Sequence, residues 1–411
     1  MSVKNAIYAQ SGGVTAVINA SACAVIQTAR QYPNKIGKVF AAQNGIIGAL
    51  NELLIDTSLE SDDDIASLMH TPSGAFGSCR YKLKDKGEEF SRLIEVFKAH
   101  DIGYFFYNGG GDSQDTAHKV SQISTAMGYP ITCIGIPKTV DNDLPFTDAC
   151  PGFGSVAKYI AISTLEAGFD VASMAASSTK VFILEVMGRH AGWIAAASAL
   201  AGSSHAEPPH IILLPEVCFN QTKFLEKVDI CVKKYGYCVV VVSEGIRNDQ
   251  GQFLSEAGLK DAFGHSQLGG VAPNIAQMIK SELGYKYHWA VADYLQRAAR
   301  HIASQVDVDQ AYALGKAAVE LAISGHNAIM PVIIREQDSP YRWSISHVPL
   351  ADVANQEKAM PAEYIAEDGM GITEACRRYL APLIQGEAYP PYLNGMPVYV
   401  RLKNQLVAQK L

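Results

Sequence analysis

Seven residues, Pro137-Lys138-Thr139-Val140-Asp141-Asn142-Asp143, concentrate the groups best suited to chemistry in this 411-residue chain. A lysine stands three residues before one aspartate, and a second aspartate follows two residues later. In an extended or turning segment both carboxylates can reach one cleft. There one can take a proton from an attacking hydroxyl while the other helps to hold Mg2+. Asp-Asn-Asp also makes turns and caps, which is its commoner use. An ordinary aspartate, with a pKa near ~3.9, is a weak base at neutral pH. Phosphoryl transfer tolerates that, because its catalysis is mostly positioning and charge stabilisation.

Such a transfer also needs cations around the migrating group. Arg80, Lys82 and Lys84 form an alternating basic strip after Gly74–Gly77, and Lys84 reads as a solvated face. Lys138 and Arg189 each follow a compact apolar run, and Tyr294-Leu295-Gln296-Arg297 offers a further anion grip. His265 tempts as a base, but a lone histidine is more often structural. Gly12-Gly13 fits a phosphate approach, and equally a tight strand-to-helix turn with no ligand. The chain contains no GxxxxGK[ST], and Asn108–Gly111 makes no GxGxxG.

These residues need a scaffold that brings them together. Short runs at Lys4–Gln10, Ile102–Tyr107, Ile131–Pro137, Val181–Met187, His210–Pro215 and Tyr237–Ser243 alternate with helical patterns at Val14–Tyr32, Glu88–His100 and Gln114–Met127. That alternation, without tight hairpin signals, predicts an α/β fold of mainly parallel sheets covered by helices. Ligands in such folds sit at the carboxyl ends of strands. The runs lead into Ser11-Gly12-Gly13, Gly109-Gly110-Gly111-Asp112-Ser113, Lys138–Asp143, Gly188-Arg189 and Ser243-Glu244-Gly245. Glycines admit backbone amides to an anion, and a following helix N-terminus adds a favourable dipole. The expectation is a phosphate-handling cleft.

Composition narrows the class. Charged residues are 18% and apolar residues 48%, so a large core is expected rather than disorder. Lys and Arg number 34 against 41 Asp and Glu, a net charge of −7. That disfavours nucleic acid and membrane surfaces as partners without speaking to a locally basic site. No apolar stretch reaches membrane-spanning length, and the start of the chain lacks a leader layout. The eight cysteines form no CxxC pair and mostly lie in apolar runs, which suggests buried thiols in the cytoplasm. A break is expected near Cys150–Gly154, and a proline-rich extension from Leu350 onward.

Taken together and in order, Ser11–Gly13, Arg80, Gly109–Ser113, Pro137–Asp143, Met187–Arg189, Ser243–Gly245 and Tyr294–Arg297 resemble the phosphofructokinase family, in its pyrophosphate-dependent branch. The resemblance spans about Ala6 to Arg335. It implies two α/β domains with the active site in the cleft between them, assembled as a homodimer or homotetramer. Residues 1–150 plus about 290–340 would bind the donor, 151–289 the sugar phosphate, and 341–411 would be an extension packed on the body. Asp141 would deprotonate the 1-hydroxyl of fructose 6-phosphate, which attacks the terminal phosphorus of pyrophosphate with Lys138 and Arg189 assisting. Gly12, Gly13, Arg80, Lys82 and Gly110 match the donor side. Thr139, Met187, Gly188, Arg189, Glu244, Tyr294 and Arg297 match the sugar phosphate. Asp112 and Asp143 would hold Mg2+.

Donor choice is read from two positions. Asp112 stands where the ATP-dependent branch has glycine, so its carboxylate would clash with and repel an α-phosphate. Lys138 stands where those enzymes also have glycine, and gives compact positive charge to a donor without an adenosine handle. Three features depart from the bacterial ATP enzymes. Gly111 replaces an acidic or amide residue, which alters the expected metal shell. Lys180 and His288 replace arginines that reach the 6-phosphate from a neighbouring subunit, which leaves acceptance of related sugars such as sedoheptulose 7-phosphate open. Cys23 and Gln27 replace effector-binding arginines, which predicts no allosteric control through that site. The alternatives are an ATP-dependent 6-phosphofructokinase and a non-catalytic sugar-phosphate-binding subunit.

Overall fold

The computed structural model describes residues 3–84, 87–204, 206–254, 256–260, 266–268 and 270–411; His265 lies outside them. The principal strands, in chain order, are β1 (Lys4–Gln10), β2 (Ile36–Ala42), β3 (Leu54–Asp56), β4 (Ile102–Gly109), β5 (Thr132–Pro137), β6 (Val181–Val186), β7 (Ile211–Leu213) and β8 (Cys238–Ser243). They continue with the short ribbon β9 (Glu256–Lys260) and β10 (Ser266–Leu268), then β11 (Tyr287–Val291), β12 (Ile329–Asp338) and β13 (Tyr341–Pro349). A seven-stranded sheet runs β13-β12-β5-β4-β1-β2-β3, and a four-stranded sheet runs β11-β6-β8-β7. The smaller sheet is entirely parallel, and the larger is parallel from β2 through β12.

The central strands of both sheets are buried on both faces, which is why they read as near-continuous apolar runs. The edge strands β11 and β13 are largely exposed. Ile7, Ala9, Phe105, Tyr107 and Cys133 pack on one side of the larger sheet. Ala6, Tyr8, Phe106, Ile134 and Ile136 pack on the other, as the two-residue strand period requires. In the smaller sheet Leu184 and Val186 face Phe153, Ile160 and Trp193, whereas Ile183, Val240 and Val242 face Phe224, Ile275 and Ile279. The first helix begins at Ile18, later than the pattern from Val14 suggests. The Thr15 hydroxyl accepts the Val17 N–H at 3.2 Å, and this local bond holds the approach out of the helix.

In the mainly parallel larger sheet, antiparallel strands lie only at the two ends. β12 and β13 form an antiparallel hairpin closed at Ser339-Pro340, and β3 also runs antiparallel to β2. The turn carries none of the Asn-Gly or Asp-Gly chemistry that marks a short hairpin in sequence. Downstream, the tail returns to the first sheet: Asp56 N–H donates to Gln405 O at 3.0 Å, and Val407 N–H to Leu54 O at 2.8 Å. It thereby covers an edge that would otherwise present unpaired backbone groups. All eight cysteines are free, six of them buried, with Cys79 half-buried and Cys218 exposed. Among the described residues, no helix is long and apolar enough to cross a membrane.

Candidate active site

Three strand ends converge at the carboxyl edge of the larger sheet. Ser11 N–H donates to Asn108 O at 2.9 Å, and Lys138 N–H to Gly109 O at 3.2 Å, which ties the exits of β1, β4 and β5 together. Gly12 has φ +73°, a left-handed conformation that glycine takes without steric penalty. A Cβ on Gly12 would lie 3.4 Å from Lys138 Nζ. One on Gly13 would lie 2.8 Å from Arg297 Nη1 and 3.6 Å from Arg80 Nη2. The glycine pair thus makes room for three cations from three separate stretches of chain.

Lys138 is only 4% exposed, and its ammonium donates to Gly13 O at 2.7 Å. Burial draws its pKa down to about 7; Arg297 and Arg80 push the same way, and Asp141 and Asp143 oppose them. A lysine so placed is ready to be recharged by an incoming anion.

The acidic side of the cleft begins one turn later. Thr139 Oγ1 accepts the Asp141 N–H at 3.1 Å, and Thr139 also hydrogen-bonds the Asp143 carboxylate. Burial lifts Asp141 well above the ordinary carboxylate range; Asp143 and Glu244 lift it further, while Lys138 and Arg189 act against them. Asp143 is raised by burial and by Glu357, against the Thr139 bond and Lys358. A carboxyl raised in this way is a stronger base than an ordinary aspartate once deprotonated.

The smaller sheet supplies the facing wall. Gly188, at φ +134°, donates its N–H to Glu244 Oε1 at 3.4 Å, which joins the exits of β6 and β8. A Cβ on Gly245 would lie 2.1 Å from Arg189 O, so only glycine admits that crossing. Burial also raises the Glu244 carboxyl. Met187 N–H donates to Gln296 Oε1 at 3.4 Å, and the Arg297 guanidinium stacks 3.9 Å from the Tyr294 ring centre. Desolvation draws Arg297 below its ordinary pKa.

Gly12, Gly13, Arg80, Lys138, Thr139, Asp141, Asp143, Arg189, Glu244 and Arg297 therefore fall in one connected region. Lys82 and Asp112 sit at its edge and pair with each other at 2.8 Å, each about two-fifths exposed. Asp112 lies in the first turn of the helix Gly111–Ala126, where a bound anion would otherwise meet the favourable end of the helix dipole. A Cβ on Gly110 would approach Lys138 O at 3.8 Å, so Gly110 also borders the region. Lys180 and His288 do not join it within this chain. Lys180 precedes β6 and donates to Ala175 O, roughly 20 Å of strand from Met187, and exposed His288 pairs in register with Phe182.

Sequence reasoning passed over several supporting groups. Glu185 is buried within β6 and accepts the N–H groups of Gly270 and Ala272 at 3.2 and 2.8 Å, capping the helix Val271–Leu283. Asn142, between the two aspartates, is fully buried and contacts Lys358 and Tyr379 from the last sixth of the chain. A buried-looking Glu in an apolar strand was a readable signal for the first. Nothing local marks Lys358 or Tyr379.

Comparison with known proteins agrees with this architecture. The family described as Phosphofructokinase matches residues 5–322. The "Pyrophosphate--fructose 6-phosphate 1-phosphotransferase" of Halomonas elongata is 66% identical, over 100% of this chain and 99% of that protein. The protein of the same name from Xanthomonas campestris is 60% identical, over 99% and 98%. The crystal structure of pyrophosphate-dependent phosphofructokinase from Marinobacter aquaeolei is 67% identical and superposes with a TM-score of 0.93, covering 100% and 98%. With the family match spanning most of its length and relatives this similar over their full length, the chain belongs to the phosphofructokinase family.

Proposed function

We infer that the chain transfers a phosphoryl group reversibly from pyrophosphate to the 1-hydroxyl of fructose 6-phosphate, giving fructose 1,6-bisphosphate and phosphate, in glycolysis or gluconeogenesis. The full-length identity to enzymes named for that reaction supports it. The observation in the molecule that carries the reading is the three-cation nest of Arg80, Lys138 and Arg297 at Gly12-Gly13, beside the raised carboxyl of Asp141.

In this reading Asp141 takes the proton from the sugar 1-hydroxyl as that oxygen bonds to the terminal phosphorus, and the bond to the bridging oxygen of pyrophosphate breaks. Lys138, Arg80 and the backbone of Gly12 and Gly13 hold the donor. Lys138 neutralises charge on the migrating group, with Arg189 opposite. Thr139, Met187, Gly188, Glu244, Tyr294 and Arg297 hold the sugar phosphate. Arg297 lies close enough to Gly13 to border both substrates, which brings the two reactants together. Asp112, paired with Lys82, keeps an α-phosphate from the helix terminus and selects against ATP.

Asp143, with Asp112, would hold Mg2+. The donor chemistry fits at Asp143, whose hard carboxylate oxygens, buried and facing the like charge of Glu357, would be relieved by a cation. Among the described residues no group of three or more His, Cys, Asp or Glu is poised for a metal. Mg2+ commonly takes one or two carboxylates and completes its shell with phosphate and water. When bound, Mg2+ supplies charge neutralisation to the phosphate oxygens.

The grouping of residues 1–150 with about 290–340, apart from 151–289, follows the two sheets. β13 pairs with β12 in the larger sheet, so the extension packed on the body would start after Pro349 rather than at 341. Lys180 and His288 would serve the site of a neighbouring subunit in a homodimer or homotetramer. A cytoplasmic, non-allosteric enzyme completes the reading. A coupled assay with fructose 6-phosphate tests the function: turnover is expected with pyrophosphate and not with ATP. Comparable ATP turnover refutes the donor assignment, and no turnover with either favours a binding subunit.

A further inference from the structure

Behind the two aspartates lies a buried polar layer supplied by the end of the chain. Asn142, between Asp141 and Asp143, has φ 55° and a fully buried side chain. For a residue with a Cβ this left-handed conformation is unfavourable, and asparagine tolerates it better than most. Its partners hold it there. Asn142 Oδ1 accepts from Cys150 N–H at 3.0 Å and from Lys358 Nζ at 3.3 Å, and Asn142 Nδ2 donates to Tyr379 Oη at 2.9 Å.

The same two residues grip the rest of the loop. Lys358 Nζ also donates to the carbonyls of Thr147 and Asp148, each at 3.0 Å, and Lys358 N–H donates to Asp143 O at 2.6 Å. Tyr379 Oη donates to Asp148 O at 2.5 Å. Asp148 is fixed in turn by Arg335 Nε and Tyr341 Oη, both at 2.9 Å. Among the described residues, the hydrogen bonds of the Lys358 ammonium go to the loop, and it also lies 5.5 Å from the ring of Trp193.

We propose that Lys358 and Tyr379 form a clamp that holds Asn142 in its left-handed conformation and thereby positions Asp141 for the transfer. This rests on Asp141 being the base. Neither residue is catalytic, because both act through Asn142 and the loop backbone. The segment beyond β13 is, on this reading, part of the working site rather than a passive covering.

The test uses full-length Lys358→Met and Tyr379→Phe, alone and on an Asp141→Asn background, with kcat, both KM values and melting temperature measured. A misplacement near 1 Å can cost about 100-fold in rate. The expectation is a kcat loss of about 10–100-fold in the single variants with both KM values within about threefold. On the Asp141→Asn background the clamp variants should add less than about twofold, since no base remains to be positioned. Full kcat in the folded single variants, unchanged kcat with raised KM, or losses that multiply on the Asp141→Asn background would each overturn the clamp. If Lys358→Met does not fold, Tyr379→Phe, which removes only a hydroxyl, decides. Near-wild-type turnover of Asp141→Asn alone refutes the base assignment instead, so the two failures are distinct.

Discussion

Lys138→Met should make the free protein more stable at pH 6 while removing most of its activity. Burial has drawn the ammonium from its ordinary 10.5 to about 7. At ~1.4 kcal/mol per pH unit, that difference sets a ceiling of about 5 kcal/mol on the cost of keeping Lys138 charged in the folded chain. The sign follows from proton counts. Between pH 7 and 10.5 the unfolded chain binds the proton and the folded chain does not, so stability rises with pH through that window. Below pH 7 both states are protonated and the full cost is present. Methionine removes the charge but also the 2.7 Å bond to Gly13 O, worth ~1 kcal/mol. At ~2.1 cal/mol/K per residue over 411 residues, each kcal/mol moves Tm by about 1 °C. Calorimetry should therefore show Lys138→Met melting about 2–4 °C above wild type at pH 6, with the gap closing toward pH 10. kcat/KM for pyrophosphate should fall at least ~100-fold. Titrating wild type with pyrophosphate at pH 8 in buffers of different ionisation enthalpy should show proton uptake as the donor recharges the lysine. A pH-independent destabilisation by Lys138→Met, with no proton uptake, refutes the reasoning.

Other consequences follow from single contacts. Gly13→Ala places a Cβ 2.8 Å from Arg297 Nη1, the movable end of a long side chain, so Tm should hold while kcat/KM drops ~10–100-fold by steady-state assay. Asp112→Gly with Lys138→Gly removes the charges assigned to donor choice; measurable ATP turnover should appear, and its absence would show that discrimination lies elsewhere. Glu185→Leu leaves the N–H groups of Gly270 and Ala272 without their acceptor and should lower stability by about 1–3 kcal/mol in denaturant unfolding. An unchanged midpoint would remove Glu185 from the account.

What the sequence made legible were the places where local chemistry and local structure coincide. Gly12-Gly13, Gly110, Lys138–Asp143, Gly188-Arg189 and Glu244 each follow an apolar run, and a parallel sheet brings the carboxyl ends of such runs to one edge. The hairpin of β12 and β13 escaped because Ser339-Pro340 is not a typical hairpin turn signal. β2 escaped because Gly37 and Lys38 dilute its apolar pattern; a Cβ on Gly37 would lie 2.6 Å from Asn5 Oδ1. The depressed Lys138 and the raised Asp141 depend on burial by segments distant in sequence, which no window of residues contains. Lys358 is the clearest case: its partner Asn142 lies 216 positions away. A lysine inside an irregular segment looks like any solvated charge until the fold closes over it.

Asp141 is the residue on which the transfer depends most directly. Asp141→Asn keeps the side chain's size and removes the base, so single-turnover transfer from pyrophosphate to fructose 6-phosphate should fall about 100- to 10,000-fold, with both substrates still bound near wild-type affinity by calorimetry. Turnover within a few-fold of wild type in that variant would contradict that dependence.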